Sequence, residues 1–140
     1  MSKAGYSGRP LPQRLGIREG DVVAVVGDPG HAASLLEPLP PGVELAAALS
    51  GAGIVLFFTT ERAGLAGAIE TLGSEIFPNG ACWVAWPKRG SGIATDVTEN
   101  VVRDVALPLG LVDNKVCAID ESWSGLRLVW RKELRRAPEA

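Results

Sequence analysis

The sequence predicts one three-layer α/β domain, in which helices cover both faces of a mostly parallel sheet and an antiparallel hairpin ends the fold. Two short apolar runs, Val22–Val26 and Ile54–Phe58, are uninterrupted by polar residues, as is typical of strands buried on both faces. Segments of helical periodicity separate such runs, and parallel strands need crossover connections of this kind. A chain of 140 residues is long enough for one domain with its own core.

Six strands are predicted, each bounded by turn residues. The first stops at Gly27-Asp28-Pro29-Gly30 and the fourth stops at Pro87. The last two strands are separated only by the short turn Glu121–Gly125, so they must be antiparallel neighbours. In chain order the predicted strands are Val22–Val26, Val43–Leu49, Ile54–Phe58, Cys82–Trp86, Lys115–Asp120 and Leu126–Arg131.

Three helices are predicted between these strands. A short one over Ala32–Leu39 is ended by two prolines and a glycine. The segment Glu61–Phe77 carries Leu65, Ile69, Leu72 and Ile76 at spacings of four, three and four, which places them on one face of a helix. A third helix follows Asp96, which with Glu99 three residues later fits an N-terminal capping pair, and Pro108 ends it.

The chain is expected to divide into an N-terminal arm, residues 1–20, a single domain, residues 21–132, and a basic tail, residues 133–140. Glycine and proline are frequent in the arm, which leaves room for one helical turn around Leu11 to Leu15. Lysine and arginine concentrate at the two ends, yet 14 basic against 16 acidic side chains give a net charge of −2. This balance argues against a nucleic-acid partner, and the basic ends are interpreted as solvated termini.

The cysteines and the first residues predict a cytoplasmic protein. Cys82 and Cys117 lie within apolar runs, where a thiol acts as a small buried apolar group in a reduced protein. The N-terminal residues contain no apolar signal core, and no apolar run approaches the length of about 20 residues that spans a bilayer. We therefore expect neither export nor a membrane partner.

The order of elements resembles the Rossmann-like core of S-adenosylmethionine-dependent methyltransferases, in which a late strand is followed by a helix and a closing antiparallel hairpin. The Pro78-Asn79-Gly80 turn before an apolar strand resembles the same region of those enzymes. Several strings also resemble a small bacterial family catalogued only as a domain of unknown function. These strings are Gly5-Tyr6-Ser7-Gly8 with Pro10-Leu11, Val84-Ala85-Trp86-Pro87-Lys88, Ala106–Asp113 and Trp123-Ser124-Gly125-Leu126.

The methyltransferase resemblance implies a cofactor loop that this sequence does not reproduce. Those enzymes have alternating glycines after their first strand and an acid at the end of the second, which binds the ribose hydroxyls. Here Pro29 stands where the second alternating glycine belongs, adding a ring and removing an N–H donor. The second strand ends in Ala46-Ala47-Ala48-Leu49-Ser50, without a carboxylate. No cofactor is predicted, and Gly27 and Gly30 are interpreted as residues of a tight turn.

A ligand-binding edge is predicted where the carboxyl ends of the parallel strands meet, because ligands of open α/β sheets bind there. The segments beginning at Pro87 and at Glu121 should emerge on this edge. Cations and a hydroxyl would hold an anionic group, while indoles supply an apolar face. The predicted ligand-binding residues are Trp86, Lys88, Arg89, Ser91, Trp123 and Ser124. The alternative is a solvated basic loop beside tryptophans that complete the core.

Metal and nucleophile chemistry find little support in the sequence. Asp28, Asp96, Asp120 and Glu121 lie at ends of elements, where carboxylates usually cap or solvate, so no metal site is predicted. His31 is the only histidine and is interpreted as an exposed residue at a helix start. No catalytic residue is predicted.

Three functions remain open. The first is a non-enzymatic binding or regulatory module on a reduced methyltransferase-like scaffold, which recognises a small anionic ligand or a protein. The alternative is an S-adenosylmethionine-dependent methyltransferase with an altered cofactor loop. The third is a nucleic-acid accessory protein that acts through the basic ends.

Overall fold

The computed structural model describes residues 9–46 and 51–135. Its six strands form one sheet in the order β2-β1-β3-β4-β6-β5. The first four strands are parallel, whereas β6 pairs antiparallel with both β4 and β5. The strands are β1 (Val22–Val26), β2 (Glu44–Ala46), β3 (Ile54–Phe58), β4 (Ala81–Pro87), β5 (Leu111–Ala118) and β6 (Trp123–Trp130).

The helices lie on both faces of this sheet, which confirms the predicted three-layer, mostly parallel α/β fold with its C-terminal hairpin. Four are α-helical and two single turns are 3₁₀. They are α1 (Leu11–Arg14), α2 (Ala32–Leu35), α3 (Leu65–Ile76) and α4 (Glu99–Ala106), with 3₁₀ turns at Leu107–Leu109 and Lys132–Leu134.

Each face of the sheet has its own apolar core. On one face, the predicted stripe of Leu65, Ile69, Leu72 and Ile76 packs with α4 against alternate residues of the strands. On the other face, α1 and α2 cover a core around Trp83, which is fully buried. Because side chains alternate across a strand, the two cores together bury every residue of β4.

Residues 11–17, which the sequence assigns to the N-terminal arm, pack into the second core. Leu11, Leu15 and Ile17 are all buried, and the indole Nε1 of Trp83 donates a hydrogen bond to the Leu15 carbonyl at 3.0 Å. Glycine and proline in this segment form turns, and the apolar residues between them cover one face of the sheet. Residues 1–8 of the arm and 136–140 of the tail lie outside the described residues.

Several element bounds differ from the sequence prediction. Both hairpin strands begin earlier than expected. β5 begins at Leu111, which pairs with Trp130 of β6, and β6 begins at Trp123, which pairs with Pro87 of β4. The third helix begins at Glu99, since Thr98 is its N-cap and accepts the Val101 N–H at 3.2 Å. The predicted second strand continues to Leu49, and its residues 47–49 lie outside the described part of the chain.

Candidate functional site

The loops at the carboxyl ends of the parallel strands are joined by backbone hydrogen bonds. Thr59 N–H, after β3, donates to the Ala85 carbonyl at 2.9 Å, and Lys88 N–H, after β4, donates to the Ser122 carbonyl at 2.8 Å. The segments beginning at Pro87 and Glu121 therefore meet at one edge of the sheet. We call this edge the carboxyl rim.

A cleft of about 550 Å³ opens at the carboxyl rim between the end of β4 and the start of α4. Residues 86–90 form one wall, and Ile93, Thr95 and Thr98 belong to the other. Ile93 is 39% exposed, which is unusual for a large aliphatic side chain and gives the cleft an apolar surface. Trp86 forms part of its floor, with 7% of its surface exposed.

Two cations, Lys88 and Arg89, line this cleft. Lys88 is half-buried and Arg89 is exposed. The ion pairs formed within residues 9–46 and 51–135 involve His31 and Arg103, so neither cation is paired with a carboxylate there. Such cations can form charge-assisted hydrogen bonds with an anionic group.

The wall that precedes α4 is fixed to the loop after β3. Thr95 Oγ1 donates to the Thr60 carbonyl at 2.7 Å and accepts the Val97 N–H at 3.0 Å. Asp96, expected from the sequence to cap the helix, instead accepts the Arg62 N–H at 2.7 Å. These contacts fix the wall opposite the cations.

The loop between the two walls is a tight turn. Gly90 and Gly92 have φ angles of 85°, in the left-handed region that favours glycine. Between them, Ser91 Oγ accepts the Ile93 N–H at 3.2 Å. The Ser91 hydroxyl is thus part of the turn as an acceptor, and its own O–H group is still able to donate a hydrogen bond.

The structure separates the two tryptophans that the sequence places in one pocket. Trp123 is opposite Pro87 in the antiparallel register, so its side chain lies on the other face of the sheet from Trp86. It is 5% exposed and packs edge-on against Phe58 with ring centroids 5.1 Å apart. Ser124 is opposite Trp86 and shares its face, but it does not line the cleft. Trp86, Lys88 and Arg89 therefore come together in the cleft, whereas Ser91, in the turn beside them, is not among its lining residues.

The resemblance to methyltransferases implies a cofactor loop after β1. In this chain the backbone N–H groups of that loop are bonded to a side chain of the same loop. Asp28 Oδ1 accepts the N–H groups of Gly30, His31 and Ala32 at 2.7, 3.1 and 3.1 Å. These bonds, that from Gly30 foremost, hold the pKa of Asp28 below its usual value. The donors that would face an anion at the start of α2 are therefore already used.

Gly27 in the same loop lies against the chain itself. Its φ is 71°, and a Cβ at this position would collide with the carbonyl oxygen of Phe58 at the end of β3. A glycine is required here for close backbone packing as well as for the positive φ, so its role goes beyond the tight turn predicted from the sequence.

His31 makes a contact that sequence reasoning missed. Its Nε2 lies 3.0 Å from Asp120 Oδ2, and the other oxygen of Asp120 accepts the N–H groups of Ser122 and Trp123, each at 2.8 Å. The residue is partly buried, with 40% of its imidazole side chain exposed, because it joins the loop after β1 to the turn between β5 and β6. Residues 89 positions apart carry no local signal of such a pair.

The thiols are poor nucleophiles in this setting. Burial raises the pKa of Cys82 to about 12, and burial also raises the pKa of Cys117. Within residues 9–46 and 51–135, no group of three or more histidine, cysteine, aspartate or glutamate side chains is arranged to hold a metal ion.

Comparison with solved structures identifies the fold as that of S-adenosylmethionine-dependent methyltransferases. One similar structure is the O-methyltransferase NcsB1 from neocarzinostatin biosynthesis, solved with S-adenosylmethionine and 2-hydroxy-5-methyl naphthoic acid. The superposition covers 92% of this chain and 54% of NcsB1, with TM-score 0.60 and 14% sequence identity. Another is a Sulfolobus solfataricus protein assigned to the type 11 methyltransferases. The superposition covers 93% of this chain and 95% of that protein, with TM-score 0.58 and 14% sequence identity. Fibrillarin from Aeropyrum pernix, with bound S-adenosylmethionine, has TM-score 0.56 and 15% identity over 89% of this chain and 70% of its own.

These likenesses define the class of fold, and this chain spans about half the length of NcsB1. No family model matches the sequence, and no curated protein does. The resemblance to a bacterial family of unknown function therefore stays a prediction. No helix in the described part of the chain has the length and apolar character needed to cross a membrane.

Proposed function

We propose that this methyltransferase-fold protein binds a small organic anion in the cleft at the carboxyl rim. The observation that carries the proposal is the convergence of Lys88 and Arg89 with the apolar side chains of Trp86 and Ile93 in one cleft of about 550 Å³. A volume of this size is ordinary for a small-molecule site, and such sites combine apolar walls with a few polar groups.

The chemistry of the lining favours an aromatic or alicyclic acid. Ile93 and Trp86 offer apolar contact area, and Lys88 and Arg89 belong to the same lining. A carboxylate would bind the cations while the ring system contacts Ile93 and Trp86. The bound 2-hydroxy-5-methyl naphthoic acid of NcsB1 is a molecule of this class.

S-adenosylmethionine-dependent methyl transfer is a second candidate, and the comparisons favour it over a non-catalytic module. The similar structures include an O-methyltransferase and proteins solved with S-adenosylmethionine. The residues of the loop after β1 do not fit the cofactor in the usual way, because Asp28 occupies the three N–H groups at the start of α2. We therefore derive no catalytic step through this cofactor.

Calorimetric titration separates the two candidates. The purified chain is titrated with 1-naphthoate and 2-hydroxy-1-naphthoate, and separately with S-adenosylmethionine and S-adenosylhomocysteine. If the protein binds only a small acid, we expect saturable heat with a naphthoate and none with the two sulfur compounds. Micromolar binding of S-adenosylmethionine or S-adenosylhomocysteine would instead support the methyltransferase.

A variant pair locates the site. Lys88→Ala combined with Arg89→Ala should weaken naphthoate binding by about tenfold or more, because a charge-assisted hydrogen bond is lost with each cation. Arg62→Ala removes an exposed cation of the neighbouring loop and serves as the matched control, with no change expected. Equal affinities of both variants, or no saturable heat with either naphthoate, would overturn the proposed anion site.

A further inference from the structure

Three arginines from distant parts of the chain gather at the opposite edge of the sheet, where β3 and β4 begin. Arg18 follows α1, Arg127 lies in β6 and Arg135 ends the described chain. β4 has seven residues, so this amino rim lies about 20 Å from the carboxyl rim. We call Arg18, Arg127 and Arg135 the amino-rim cluster.

The fold holds Arg127 at the centre of this cluster. Its neighbours Leu126 and Leu128 point into the core beneath α3 and α4, so Arg127 lies on the other face of the sheet. The register of β5 against β6 is irregular between Asp113 and Lys115, which marks a β-bulge at Asn114. Asn114 Oδ1 accepts a hydrogen bond from Arg127 Nη1 at 3.3 Å.

The other two arginines are placed by backbone contacts. Arg135 Nε donates to the Trp130 carbonyl at 2.8 Å, which leaves the terminal nitrogens of its guanidinium with further donors. The Arg18 side chain is exposed, and its backbone N–H donates to Asp21 Oδ2 at 2.8 Å. Asp21 lines the same cleft as Arg18 and Arg127.

The cluster carries positive charge that the described residues do not neutralise by an ion pair. The ion pairs of residues 9–46 and 51–135 involve His31 and Arg103, and none includes Arg18, Arg127 or Arg135. The pKa of Arg127 is lowered from its usual value, mainly by burial and then by the positive charges of Arg135 and Arg18. The guanidinium still stays protonated. An anion bound among the three groups would relieve this repulsion.

Three adjoining clefts meet at Arg127. Their volumes are about 220, 420 and 180 Å³. Arg18 lines the first two and Arg135 lines the third, while the amides of Asn79 and Asn114 add polar groups. None of the lining residues is aromatic, so the clefts offer polar donors without a surface for stacking a base.

We propose that the amino-rim cluster binds the phosphate groups of a compact phosphorylated molecule, such as a phosphomonoester or a diphosphate. Planar guanidinium forks match phosphate oxygens in pairs, which makes several arginines around a small cleft a fitting phosphate site. The net charge of −2 and the lack of stacking residues argue against a long nucleic acid. The site lies away from the carboxyl-rim cleft and does not depend on the function proposed for it.

The test is a titration of the isotope-labelled protein with inorganic pyrophosphate. The chemical shifts of the backbone amides and of the arginine Nε–H groups are measured by NMR at each step. We expect saturable shifts at Arg18, Gly80, Asn114 and Arg127, and none at the carboxyl rim. Sodium sulfate at matched ionic strength controls for screening, and a short RNA and a short DNA duplex form a second arm.

Variants make the test specific. Arg127→Gln should weaken pyrophosphate binding by about tenfold or more, whereas Arg62→Gln, an equal change of charge at the other rim, should leave it unchanged. Arg18→Gln alters an exposed side chain and replaces Arg127→Gln if that variant does not fold. Equal shifts with sulfate and pyrophosphate, no effect of the amino-rim variants, or tighter binding of the longer nucleic acids through the same arginines would overturn the proposal.

Discussion

The two sides of the carboxyl rim differ in how their polar groups are satisfied. On the side covered by α2, Asp28 accepts three backbone N–H groups, and His31 bonds to Asp120, which in turn accepts two more. On the side of α4, Lys88 and Arg89 line an open cleft without a carboxylate partner in the described chain. We call these the closed side and the open side.

The difference lies in whether the protein itself supplies the partners of the polar groups. On the closed side the carboxylates of Asp28 and Asp120 accept the backbone N–H groups of their own loops. On the open side the partner must come from solvent or from a bound molecule. A shared fold therefore does not guarantee free donors in the loop after β1, since here a single aspartate occupies them.

The strongest expected effect concerns Trp123, which belongs to the closed side. Trp123→Ala should lower the free energy of unfolding by about 3–5 kcal/mol, as is usual when a buried aromatic side chain is truncated. Urea denaturation measures this loss. Lys88→Ala, on the open side, is the comparison and should change stability by less than about 0.5 kcal/mol. A Trp123→Ala protein as stable as Lys88→Ala would contradict the assignment of Trp123 to the core.

A smaller effect is expected for the aspartate that closes the loop after β1. Asp28→Ala removes the acceptor of three N–H groups and should cost about 1 kcal/mol, the usual contribution of a capping side chain. The same variant frees those donors, so it should bind S-adenosylhomocysteine more tightly than the unmodified chain does. Unchanged stability together with unchanged affinity would mean that Asp28 does not close this side.

Acid should weaken the fold through two carboxyls. The pKa of Asp28 is lowered mainly by the Gly30 N–H, and the pKa of Asp113 is lowered mainly by its hydrogen bonds from Arg103. A carboxyl with a lowered folded-state pKa stabilises the fold above its unfolded value of about 3.9, and this contribution is lost as the pH falls through the folded value. Stability should therefore decline below about pH 4.

The variant Asp28→Asn/Asp113→Asn checks this assignment. Asparagine at position 28 keeps an acceptor oxygen but does not titrate, so the double variant should lose less stability between pH 5 and pH 2 than the unmodified chain. Urea denaturation at a series of pH values measures the two slopes. Identical slopes would assign the acid sensitivity to other carboxyls.

Much of the fold is predictable because it depends on local pattern. Continuous apolar runs predict buried parallel strands, and the short turn at Glu121–Gly125 predicts an antiparallel pair, as the structure has them. The N-terminal segment is harder to predict. Leu11, Leu15 and Ile17 stand among turn residues, and only the uncovered face around Trp83 explains why they are buried.

The candidate site is predictable only in part, for a reason of register. Sequence places Trp86 and Trp123 at one rim, but their faces depend on which residues pair between β4 and β6. Since Trp123 is opposite Pro87, it lies on the face away from Trp86, and a shift by one residue would reverse this. Contacts such as His31 with Asp120, and the gathering of Arg18, Arg127 and Arg135, depend on distant segments and have no local signal.

The smallest expected effect concerns Ser91, and it distinguishes a ligand-binding hydroxyl from a turn residue. Ser91 Oγ accepts the Ile93 N–H at 3.2 Å in an exposed loop, so Ser91→Ala should change stability by less than about 0.5 kcal/mol. If the hydroxyl only shapes the turn, hydrogen exchange at Ile93 should accelerate while naphthoate affinity stays the same. If it also donates to the bound anion, affinity should fall by about tenfold, the expected loss for one hydrogen bond. Because Ser91 lies between the two cations and Ile93, the affinity of this variant tests whether the turn itself belongs to the open side's binding surface.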